Sequence, residues 1–248
     1  MTSSTPEPRR DTTPTVVLVH GAFADSSSWN GVIAQLNGDG YPVIAAANPL
    51  RGLHSDAQYL RSVLDSVEGP IVVAGHSYGG TVMSEAADGH PEVRALVYVA
   101  GFSPEEGEST AELAARFPGG ELGPALHPVP VTTVDGGTVT DLYIKQNEFR
   151  EVFAADVPRE MADLMAATQR PIVADALAEK AVRTAWKTIP SWTLVTPRDL
   201  AIPADSLRFM AERAKSRTVE IDASHAVTVS QPGAVARLID EAARAATR

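Results

Sequence analysis

Ile71-Val72-Val73-Ala74-Gly75-His76-Ser77-Tyr78-Gly79 is the stretch on which the fold of this chain turns. Four apolar, mostly β-branched residues read as a buried strand, and a helical pattern follows over residues 81–87. Between strand and helix sits Gly75-x-Ser77-x-Gly79, a turn too tight for side chains on either flank of the serine. Such a turn lifts the Ser77 hydroxyl above the end of a sheet. It also sets that hydroxyl beside a helix N-terminus, where unpaired N–H groups favour developing negative charge. Ser77 is therefore the candidate nucleophile.

The pattern extends outward in both directions. Residues 15–19 read as a strand, 29–36 as a helix, 41–46 as a strand, 56–67 as a helix and 95–99 as a fourth strand. It resumes late, with strands over 192–195 and 218–221 and helices over 206–214 and 233–245. Short strands that are apolar on both faces, alternating with helices, predict a mostly parallel sheet flanked by helices, the α/β class. Between 102 and 188 the alternation breaks. Residues 131–139 carry two β-prone runs around Asp135-Gly136, a hairpin signal, and helices are expected over 148–155, 159–168 and 172–183. The expected organisation is a flexible tail over 1–13, a core of 14–102 plus 189–248, and a cap insertion of 103–188. The cap is expected over the carboxyl edge of the sheet, where open α/β sheets bind ligands.

Composition narrows the function. The 248 residues carry a formal net charge of −10, which disfavours nucleic acid and anionic membrane as partners. There is no cysteine, so disulfides, thiolate catalysis and Cys-ligated metals are excluded. Arg9-Arg10 is followed by no apolar run fit for a signal segment, and a cytoplasmic protein is expected.

A serine hydroxyl needs a base near neutral pH. Of the six histidines, His225 alone follows the last strand, late in the chain. The acid that orients it is expected after the preceding strand, at Asp199; Asp222, Glu105 and Glu106 are its rivals. An oxyanion hole needs two backbone donors, for which the Tyr78 amide and the Ala22 amide, after His20-Gly21, are the candidates.

These pieces together resemble the α/β-hydrolase superfamily, in particular small esterases of the methyl-salicylate esterase and hydroxynitrile lyase type. The resemblance rests on 17–22 with Trp29 downstream, on Gly75 to Gly80, on Asp199-Leu200-Ala201-Ile202-Pro203, and on Ser224-His225-Ala226. It implies a Ser–His–Asp triad, a helical cap with a small hairpin, and no cofactor or metal. The lyases tend to have Thr at the place of Gly21 and Lys at that of Ala226, so the resemblance favours ester hydrolysis. A small-molecule ester or lactone is the expected partner, and a homodimer the oligomer kept open. Phe23, Phe102, Tyr143, Phe153 and Met165 are the expected substrate contacts, drawn from a wider set that includes Leu142 and Phe149. Lactonase, C–C or amide hydrolase, perhydrolase and non-catalytic receptor of the same fold stand as alternatives.

Overall fold

The computed structural model describes residues 13–247. The expected tail lies outside them but for Thr13. Six strands, β1 (Thr15–Val19), β2 (Val43–Ala46), β3 (Ile71–His76), β4 (Val93–Val99), β8 (Ser191–Val195) and β9 (Arg217–Glu220), form one sheet in the order β2-β1-β3-β4-β8-β9. Every neighbouring pair is parallel. This is the parallel sheet of the expected α/β class.

Strand periodicity explains the layers. Successive side chains point to opposite faces. Val17, Val19 and Val73 therefore join one core, against α2 (Leu53–Asp65) and α3 (Tyr78–Ala86). Val16, Leu18, Val72 and Ala74 join the other, against α1 (Asn30–Gly38) and the C-terminal helix Pro232–Ala246. β2 begins at Val43 rather than at 41: Tyr41 N–H still caps the preceding helix through Leu36 C=O, and Pro42 has no N–H to give.

Chain order reverses direction between β1 and β3, which lie side by side while β2 lies outside β1. Open α/β sheets bind ligands at such a switch point, beyond the carboxyl ends of the strands. Gly21 follows β1 there, and Ser77 follows β3.

The segment between β4 and β8 carries a second sheet, β5 (Leu126–Thr132), β6 (Thr138–Ile144) and β7 (Ile172–Val173), with α4 (Thr110–Ala114), α5 (Leu122–Ala125), α6 (Gln146–Phe153), α7 (Arg159–Thr168) and α8 (Ala174–Ala178). β5 and β6 pair antiparallel about a turn in which Gly136 takes φ 85°, a left-handed value that glycine tolerates. The helix expected over 172–183 is not formed. Ile172 and Val173 pair instead with Leu142 and Asp141, Val173 N–H donates to Leu50 C=O, and only the short α8 follows. Two β-branched residues beside an open hairpin edge find tertiary partners that outweigh the helical pattern. α4 went unpredicted, although Ser109 and Glu112 form a complete capping box, an S-x-x-E signature visible in the sequence. No helix among the described residues is long and apolar enough to cross a membrane.

Candidate active site

β3 ends at His76, and α3 begins at Tyr78. Ser77 alone makes the turn, with φ 54° and ψ −126°, a conformation that L-residues adopt rarely and that a surrounding structure must enforce. Close packing enforces it here. A Cβ on Gly75 would lie 2.7 Å from the Gly79 carbonyl, and one on Gly79 would lie 2.3 Å from Val19 O. The Ser77 N–H donates to Val99 and Ala100 carbonyls, and its own carbonyl accepts from Gly80 and Phe102.

β1 delivers the second piece. A Cβ on Gly21 would stand 2.7 Å from Ser77 Cβ and 2.8 Å from His76 O, so the two loops touch with no room for a side chain at 21. The neighbouring Phe23 N–H is committed to Arg170 C=O at 3.0 Å. Tyr78 is fixed through its side chain: its hydroxyl donates to Asp56 Oδ2 at 2.9 Å, and Asp56 Oδ1 accepts the Arg51 N–H at 3.1 Å. Asp56 is fully buried, and burial raises its pKa despite these donors.

Asp199 and His225 stand on the loops after β8 and β9. Asp199 Oδ2 lies 2.7 Å from His225 Nδ1 and also accepts from Thr196 Oγ1 at 2.9 Å. Its Oδ1 accepts two backbone N–H groups, from Ala201 and Ile202, each at 2.8 Å. Both partners are buried, and each carboxylate oxygen is engaged twice, so the carboxylate is held in one orientation. The rival acids are placed elsewhere. Asp222 pairs with Arg198 at an exposed position, and Glu105 pairs with Lys187. Glu106 is itself exposed and follows Glu105 on that loop.

His225 is gripped from two sides. His76 Nε2 donates to His225 C=O at 2.9 Å, and Ala226 N–H donates to Phe153 C=O at 2.9 Å. The Phe153 ring meets the His225 ring edge-on at 4.8 Å between centroids. Neither His76 nor Phe153 was expected to position the base. Nothing in the spacing of either residue announces a contact made across the fold.

His76 is wholly buried, and burial pushes its pKa down to about 3, with the adjacent His225 acting in the same direction. Burial lowers that of His20 as well. Folded His76 is thus neutral, whereas the unfolded chain takes up a proton below its ordinary 6.5. Stability should fall as pH drops through the window from 6.5 toward 3, with His76 contributing up to about 1.4 kcal/mol per pH unit. Urea midpoints measured between about pH 7 and pH 5 should fall more steeply for the wild type than for His76→Gln, which keeps an N–H donor but cannot titrate. Equal slopes would remove His76 from the acid sensitivity.

Ser77 and His225 line one small cavity of about 60 Å³, together with Ala22, Tyr78, Phe23, Phe102 and Phe153. The expected contacts Phe23, Phe102 and Phe153 are therefore at this cavity. Tyr143 is not. Leu142 and Ile144 turn toward the core, so strand alternation sends Tyr143 to the opposite face of β6. Phe149 packs behind Phe153, 5.0 Å between centroids. Met165 lines a separate, more open cavity. Thr110, Ala111, Ala114, Leu122, Leu177, Ala201 and Ile202 complete this cavity and were missed, most of them lying on the short helices of the insertion. Among the described residues no group of three or more His, Asp or Glu is arranged to hold a metal ion.

The chain is similar to known proteins in sequence and in fold. The chain is 26% identical over 252 residues to the alpha/beta hydrolase nvfD of Aspergillus novofumigatus, covering 93% of this chain and 96% of that one. It is 27% identical over 256 residues to the pyrethroid hydrolase of Sphingobium wenxiniae, covering 93% and 88%. The crystal structure of polyneuridine aldehyde esterase superposes with a TM-score of 0.80 at 17% identity, over 93% of this chain and 99% of that one, a likeness of fold. The profile of the alpha/beta hydrolase family matches residues 16–238, from the first strand into the last helix. With the fold, the strained turn and this match in agreement, the chain belongs to the alpha/beta hydrolase family.

Proposed function

We propose that the protein is a serine hydrolase that cleaves small carboxylic esters through an acyl-enzyme on Ser77. The observation that carries this reading is the buried pair of Asp199 Oδ2 and His225 Nδ1 at 2.7 Å, whose imidazole shares a cavity with Ser77. With Nδ1 committed to the carboxylate, Nε2 is the nitrogen left to accept a proton. Ser77 Oγ attacks the ester carbonyl carbon and its proton passes to His225 Nε2. The amides of Ala22 and Tyr78 hold the oxyanion, the latter at the N-terminus of α3. The bond to the alkoxide breaks as His225 returns the proton to it. Water then attacks the acyl-enzyme by the same route and releases the acid. The segment 103–188 acts as a cap, since residues of α4, α5, α6 and α8 wall the cavity over Ser77. The names of relatives such as the carbendazim hydrolyzing esterase of Nocardioides, 31% identical over 44% of this chain, support ester chemistry.

A fluorophosphonate should add covalently to Ser77 and to no other serine, read by mass spectrometry of the digested protein, with labelling lost in His225→Ala. Unlabelled Ser77 in a folded protein would overturn the reading.

A further inference from the structure

Two cavities share one lining side chain. The small cavity at Ser77 holds about 60 Å³, and a more open one of about 250 Å³ lies against α7 and the loop after β1. Phe23 is the single residue that lines both. It is held there under strain, with φ 60°, in the left-handed region that bulky L-residues avoid. Two contacts enforce the position. Its N–H donates to Arg170 C=O just beyond α7, and its ring meets Phe153 edge-on at 6.4 Å. A non-glycine residue kept in this conformation beside a candidate nucleophile points to a role for its side chain.

We infer that Phe23 divides the site into a small compartment at Ser77 and a large outer compartment, so that the substrate is an uncharged ester with one small and one bulky apolar part. This rests on the hydrolytic reading above. The small cavity, walled by Phe23, Phe102 and Phe153, has room for a group of a few non-hydrogen atoms. The outer cavity is more than four times larger and takes its apolar walls from Phe23, Met161, Met165 and Val229. Met161 is 46% exposed, which extends that apolar wall to solvent. Charge sets a second limit. Asp25 stands at the outer cavity, and no Lys or Arg lines either cavity among the described residues. A carboxylate on the bulky part would therefore lose its hydration and meet a like charge.

Four uncharged esters test this: phenyl acetate, naphthyl acetate, methyl naphthoate and naphthyl benzoate. For the wild type, kcat/KM on at least one of the two singly bulky esters should match or exceed that on phenyl acetate. Naphthyl benzoate, bulky on both sides, should fall about 100-fold below it. Phe23→Ala should raise the ratio of naphthyl benzoate to the better singly bulky ester about tenfold, and Met165→Trp, filling the outer cavity, should lower the ratio of that ester to phenyl acetate about tenfold. Ratios taken within one variant are insensitive to the amount of folded enzyme. Equal wild-type turnover of the singly and doubly bulky esters, or ratios unmoved by both substitutions, would overturn the inference. A binding measurement separates it from the hydrolytic reading. Naphthyl acetate binding to Ser77→Ala, followed by fluorescence, should weaken about tenfold when Met165→Trp is added. That loss, without any Ser77-dependent turnover in the wild type, would sustain the compartments and remove the hydrolase reading. Turnover with unmoved ratios would do the reverse.

Discussion

Ser77→Ala is expected to lower kcat on p-nitrophenyl acetate by about a million-fold while leaving the fold intact. The substitution removes one atom. Alanine keeps a Cβ where serine has one, so the packing at this turn is undisturbed, and the backbone bonds of residue 77 to Val99, Ala100, Gly80 and Phe102 do not involve the hydroxyl. On the proposed mechanism, what disappears is the group that divides one difficult step into two easier ones. Water cannot replace it well, because the small cavity beside it is walled mostly by apolar side chains. The oxyanion donors and substrate binding should still leave about 10³–10⁴-fold over the uncatalysed reaction. Single-turnover assays with the variant at substrate-saturating enzyme would measure this, with circular dichroism reporting the fold. Activity within about tenfold of wild type would mean that residue 77 is not the nucleophile.

Asp199→Asn is expected to cost about 10⁴-fold in kcat, with KM nearly unchanged. The reason lies in which donors surround the carboxylate. Oδ1 accepts the N–H groups of Ala201 and Ile202, so an asparagine must put its carbonyl oxygen there. Its NH₂ is then forced toward His225 Nδ1 and Thr196 Oγ1, where Oδ2 now accepts. A donor facing Nδ1 selects the imidazole tautomer protonated on Nε2, which cannot take the Ser77 proton. The geometry survives and the base is lost. Asp199→Ala should be less defined, since it leaves two buried N–H groups unpaired as well. In the double variant Ser77→Ala with Asp199→Asn, the second change should add little to the first, because the two residues act as a unit. Independent, multiplying effects measured by the same assay would show that Asp199 acts elsewhere than through His225.

The sheet was legible because its strands are apolar on both faces and are separated by helices of clear period; that pattern needs no tertiary information. The glycines of the turn were equally legible, since their spacing around Ser77 has a steric cause that the structure displays as a 2.3 Å approach at Gly79. Asp199 and His225 were found by position after the last strands, and the structure places them in contact. The insertion was less legible. Residues 159–168 form a helix as their period predicts, yet 172–183 do not, because Ile172 and Val173 meet a strand edge already present. Tyr143 looked like a pocket residue by type alone, and strand alternation turned it away.

By itself, then, the sequence determined a parallel α/β sheet, a serine on a turn that only glycine neighbours permit, and the chain order of the candidate serine, acid and histidine. The first two are local or periodic, written in residues close together along the chain, and the third is read from which strand each residue follows. Only the tertiary structure decided that His76 and Phe153 grip His225, that Asp56 anchors Tyr78, and that Phe23 lines two cavities. Those contacts join segments from 22 to 149 residues apart, and packing between distant segments leaves no period or motif in either of them.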